Sequence, residues 1–136
     1  RVEACFARRA PLASYSVQVT KSVSLETSKG ASLQIRYDLE DLPVGMPIHF
    51  AVEFNLAGLP GGADDRYYYD HTGQRQGRLD DTLKQPHGER IGLVDEWLGV
   101  DVSLEFPMPC SCWAFPIETV SQSEGGFETV HQACCV

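Results

Sequence analysis

Positive charge is scarce in this chain. Only 11 of its 136 residues are lysine or arginine, against 19 aspartates and glutamates, for a formal net charge of −8. The few cations are scattered, so no basic patch arises that could neutralise phosphates or hold an anionic membrane surface. Nucleic acid and membrane are therefore not expected as partners. Apolar runs are short too, and none approaches the roughly 20 residues that a membrane span requires. Arg1-Val2-Glu3 leads into further arginines instead of an apolar segment, so no signal peptide is read at the start. The absence of an initiator methionine suggests a piece of something longer. The five cysteines are an odd count, which argues against a disulfide framework and for reduced thiols in a cytoplasmic setting. A chain of this length can bury a core without metal or disulfide, and one β-sandwich domain over residues 1–136 is expected.

What the chain has is alternation. Val17, Val19, Val23 and Leu25 share one parity, with Lys21 interrupting. Leu33, Ile35, Tyr37 and Leu39 follow the same rule. So do Met46, Ile48, Phe50, Val52, Phe54 and Leu56, and later Val100, Val102, Leu104 and Phe106. Successive side chains of a strand point to opposite faces, so each run has one apolar and one polar side. No comparable run follows the helical period. The pattern predicts an all-β fold of antiparallel sheets packed face to face.

Turn chemistry divides the runs. Ser28-Lys29-Gly30 separates the first two, and Asp41-Leu42-Pro43-Val44-Gly45 the next two. Leu59 to Asp65 opens an irregular stretch, Arg66 to Asp70 reads as a short aromatic strand, and the polar segment His71 to Gly88 reads as a long surface loop. Strands are then expected at Ile91–Val94, Val100–Phe106, Trp113–Val120 and Phe127–Cys135. The last two are joined through Ser123-Glu124-Gly125-Gly126, where glycine accepts positive φ. A hairpin centred there pairs positions summing to about 249 and brings Cys110-Ser111-Cys112 near Cys134-Cys135.

The segment from Trp113-Ala114-Phe115-Pro116-Ile117-Glu118 to Gly125-Gly126-Phe127-Glu128, with Gln132 after it, resembles the end of a known family. It is similar to the C-terminal β-sandwich domain of the alpha-amylases and 4-alpha-glucanotransferases of glycoside hydrolase family 57. Phe50-Ala51-Val52-Glu53-Phe54-Asn55-Leu56 and Asp95-Glu96-Trp97-Leu98-Gly99 support the likeness, which covers most of residues 31 to 132. The resemblance implies an incomplete galactose-mutarotase-like supersandwich, packed beside a catalytic (β/α) barrel of the same polypeptide, its partner. No segment here supplies that barrel, so no catalytic residue is expected in this chain. Ala133-Cys134-Cys135 departs from the Gly-containing close of the family pattern.

Carbohydrate-binding candidates follow from residue type. Trp97, Trp113 and the run Tyr67-Tyr68-Tyr69 could stack on an alpha-glucan, although aromatics also build cores. Trp113 shares parity with Phe115 and Ile117, which favours core. Consecutive side chains on a strand diverge, so one of Tyr67 and Tyr68 is expected outside. His49, Glu53 and Asn55 fall on the polar side of one strand, with Arg36 on a neighbour. They suit sugar hydroxyls, but an ion-pair network on a solvated face, or at a contact with the barrel, is the favoured reading. Glu118 and Glu124 straddle the start of a turn and are expected to tie backbone, not to cleave glycosidic bonds. The cysteine spacings of one and zero suit zinc poorly. Asp64-Asp65 and Asp80-Asp81 lack EF-hand spacing, and no phosphate loop or nucleophile elbow is present. No metal or cofactor is expected. The reading that results is a non-catalytic accessory domain of a glucan-acting enzyme. An autonomous carbohydrate-binding module and an interaction domain without a sugar role are the alternatives.

Overall fold

The computed structural model describes residues 2–27, 32–59 and 61–136. The expected turn at Ser28-Lys29-Gly30 lies outside them. Every regular element among the described residues is a β-strand, in two antiparallel sheets, as the alternation predicts. The chain divides into two compact units, Arg1–Phe50 and Ala51–Val136.

The first unit holds β1 (Val2–Leu12), β2 (Tyr15–Glu26) and β3 (Ser32–Glu40) in the order β1-β2-β3. Its register explains the amphipathic pattern. Val19 faces Leu39, Val23 faces Ile35 and Leu25 faces Leu33, while Ser24 faces Gln34 and Ser22 faces Arg36 on the other side. Lys21, the interruption on the apolar side, lies between Phe6 and Tyr37 in register. Its ammonium stands 5.5 Å from the Tyr37 ring centroid, so its charge meets a π face and its stem covers apolar surface. β1 alternates as well, with Val2, Ala4, Phe6, Ala10 and Leu12 on one parity and Arg8 interrupting, and the sequence reading passed over it.

The second unit is a six-stranded sheet. It comprises β4 (Asn55–Ala57), β5 (Arg66–Asp70), β6 (Arg75–Arg78), β7 (Leu83–Asp95), β8 (Val100–Ser123) and β9 (Gly126–Cys135), in the order β4-β9-β8-β7-β5-β6. Three expectations need correction. The run from Met46 to Leu56 makes a ladder only over Asn55–Ala57, extended by backbone bonds between Phe54 and Val136. Alternation says which side chains share a face, but a strand needs a partner, and β9 reaches no further. The segment from His71 to Gly88 is no loop, since it contains β6 and the first half of β7. Its polarity fits the sheet edge taken by β6. The strands expected at 100–106 and 113–120 are one strand, β8. Its Pro107 and Pro109 fall where β7–β8 pairing breaks off, between Gly88↔Cys110 and Arg90↔Glu105, and such a bulge tolerates residues lacking an amide donor.

One side of this sheet encloses the core of Tyr68, Leu79, Ile91, Leu93, Cys112, Ala114 and Cys134. The β8–β9 register sums to 249 from Ser123↔Gly126 to Glu118↔His131, and to 250 beyond a bulge. The two cysteine clusters do approach, and Cys112 and Cys134 share the core.

Candidate functional site

The side of the six-stranded sheet opposite the core carries a row of aromatic rings, each beside a cation. β5, β7 and β8 place Tyr67 in line with Val94 and Asp101, and Tyr69 in line with Gly92 and Ser103. The Arg75 guanidinium lies 4.7 Å from the Tyr67 ring centroid, and that of Arg90 lies 5.3 Å from Tyr69. Arg90 Nη2 donates to the Tyr69 hydroxyl at 3.1 Å, and the hydroxyl donates to Asp101 Oδ1 at 2.7 Å. Tyr67 donates to Glu96 Oε1 at 3.3 Å. Burial and the Asp101 bond raise the Tyr69 phenol above its usual range, with Arg90 opposing them. Further along, Lys84 faces Trp113 in register, its ammonium 4.9 Å from the ring.

The turn from Glu96 to Gly99 closes one end of this face and carries Trp97, which is 79% exposed. Asp95, fully buried, holds the turn in place. Its Oδ1 accepts the Leu98 amide at 2.9 Å and its Oδ2 accepts Arg66 Nε at 2.8 Å. Burial pushes the Asp95 carboxyl up, but the Leu98 and Arg66 bonds outweigh it and leave it below its usual value.

The sequence candidates separate cleanly. Tyr67, Trp113, Glu53 and Asn55 lie on this one face. Asn55 aligns with Cys135, which aligns with Phe115, and Asn55 Nδ2 donates to Glu53 Oε1 at 2.9 Å. Trp97 borders the face. Tyr68 does not belong to it: fully buried on the core side, it offers no surface to a ligand. Tyr67 is half-buried and Tyr69 is nearly buried, its ring lying flat over Gly92. Trp113 reverses its expected role, being 57% exposed while Cys112 and Ala114 beside it are buried. The core takes small residues from β8 because the Tyr68 ring fills the adjoining space, and parity alone does not say which side that is. His49 is exposed, outside any strand, and belongs to the first unit. Arg36 makes its bond within β3, with Asp38 at 2.7 Å.

Arg75, Arg90 and Asp101 escaped the sequence reading. Two stand in the segment taken for a loop and at its border, and only register shows that they meet the tyrosines. Glu118 and Glu124 lie six residues apart along the β8–β9 hairpin, roughly 20 Å at strand rise. That is well beyond the separation of two carboxyls flanking a glycosidic bond. Asp81 accepts the Arg78 amide at 2.7 Å and Asp80 pairs with Arg78 at 3.3 Å, so both serve the β6–β7 turn. Among the described residues no three His, Cys, Asp or Glu side chains are grouped as metal ligands.

The sequence model of the family described as alpha-amylase/4-alpha-glucanotransferase, C-terminal, matches residues 1–136. The chain belongs to this C-terminal domain family. Comparison with curated proteins and with solved structures finds no match. The family match extends over the first 30 residues, in which the resemblance carried by Trp113–Glu128 had no footing. By that description the family is the C-terminal domain of amylase- and glucanotransferase-type enzymes, which supports a catalytic domain of the same polypeptide as partner.

Proposed function

We propose that the chain is a non-catalytic accessory domain of a family 57 alpha-glucan-acting enzyme, steadying the catalytic barrel and touching glucan through the face opposite its core. The observation that carries the glucan contact is the exposed end formed by Trp97 and Tyr67 with Arg75, Glu96 and Asp101 around them. Aromatic faces stack on the C–H surface of a sugar, and planar carboxylates and guanidinia suit its hydroxyls. Each such contact adds only about 1 kcal/mol beyond burial, so one end alone binds near the millimolar range, about −4 kcal/mol.

Two measurements on the 136-residue chain test the reading. Incubation with amylose and maltooligosaccharides is expected to give no new reducing ends and no change in chain length. Titration with maltoheptaose, followed by amide shifts, is expected to perturb Trp97 and Tyr67 and to weaken at least several-fold in Tyr67→Ala. Turnover lost in Glu118→Gln or Glu124→Gln would contradict the non-catalytic role. Shifts confined to Tyr68 and Leu93 would contradict the placement.

A further inference from the structure

Resting on that reading, we infer that the face holds a second sugar-stacking subsite at Trp113, and that one long alpha-glucan bridges the two ends. Trp113 is more open than Tyr67, with Lys84 beside its ring and Phe115 two residues along on the same side. The Asn55–Glu53 pair lies on this side of the sheet as well, reached through Cys135 in register with Phe115. An exposed indole with the Lys84 ammonium at its ring is a stacking platform, and the amide and carboxylate two strands away on the same side offer further hydroxyl partners along the sheet. It is a separate site from the Tyr67 end. Along β7, Val94 aligns with Tyr67 and Lys84 with Trp113, and these are ten residues apart. At strand rise that is roughly 30 Å, too far for a di- or trisaccharide to touch both. A long glucan held at one end meets the other as an intramolecular event, so its affinity gains by effective concentration without any new contact. The ligand class is thereby narrowed to polymeric or long linear alpha-glucan.

The test compares maltotriose, maltoheptaose and soluble amylose on the 136-residue chain, with tryptophan fluorescence and amide shifts as readouts. Amylose, per binding chain, is expected to bind at least tenfold more tightly than maltotriose. Trp113→Ala and Tyr67→Ala should each bring amylose back to the maltotriose level, while maltotriose still shifts the surviving end. Trp113→Phe, which keeps a ring, should retain most of the gain and guards against a folding defect. Equal affinity for short and long glucans, with binding present, would overturn the bridge and leave the accessory reading standing. Binding of no glucan at all would overturn both. A gain that survives either single alanine variant would show that the polymer merely offers more copies of one epitope.

Discussion

Gly92 lies under the Tyr69 ring, and a Cβ built there would overlap the ring carbons. Gly92→Ala is expected to cost about 1–3 kcal/mol by overpacking, measured as a lower denaturant midpoint. Adding Tyr69→Ala should recover part of that loss, because the two positions share one space. Tyr68 presents the opposite case. Its buried hydroxyl has no hydrogen-bond partner of regular geometry, and burial, with the Cys134 thiol beside it, pushes the phenol up. Tyr68→Phe removes an unsatisfied group while keeping the ring, so stability should be unchanged or higher by up to about 1 kcal/mol. Burial likewise raises the Cys112 thiol to about 11 and pushes Cys134 and Cys135 up, whereas Cys5 is exposed. In the folded chain a thiol reagent at neutral pH should label Cys5 and spare those three. Rapid labelling of Cys134 would contradict the described core.

Two turns show what elements require beyond side-chain pattern. Ala13, in the two-residue link between β1 and β2, has φ of 53°, a region that suits glycine or asparagine in hairpin turns. Relief of the left-handed strain is worth about 1 kcal/mol, so Ala13→Gly should raise the thermal midpoint by a few degrees. Asp95 holds the β7–β8 turn that carries Trp97. Its folded-state pKa is lowered, so its contribution is fully present above the unfolded value, near 4. That contribution is lost as pH falls through the folded value. Acid unfolding of Asp95→Asn should lose this component, and at pH 7 the variant should be less stable and bind glucan more weakly at the Tyr67 end. β7 teaches a different lesson. Its second half, Ile91 to Val94, is apolar enough to be read directly. Its first half, with Pro86 and Gly88 among polar residues, becomes a strand only because β8 runs on past its prolines to pair with it.

At the scale of the molecule, the glucan proposed as ligand is neutral while the chain carries a net charge of −8, and the two together predict the response to salt. Stacking on an uncharged glucan is not screened, so binding should change little between 50 and 500 mM salt, whereas an anionic ligand drawn to Arg75 and Arg90 would be lost. Residue order alone specifies the fold class and the register of the last hairpin. Period-2 alternation marks extended chain with one apolar side and rules out a helix, even over Met46–Phe54 where no partner completes a ladder, and the turn at Glu124-Gly125 centres the last hairpin. The same order also marks the family, through the specific string from Trp113 to Glu128. Which side of each strand meets the core emerges only when the sheets assemble. Alternation is symmetric under exchange of faces, and the choice at β8 fell to the small residues Cys112 and Ala114 because Tyr68 occupies the space across from them. For the same reason the site was legible in part. Tyr67, Trp97, Glu53 and Asn55 could be named from residue type, but Arg75, Arg90 and Asp101 join them through pairings between strands distant in sequence, and only the folded register brings those side chains together.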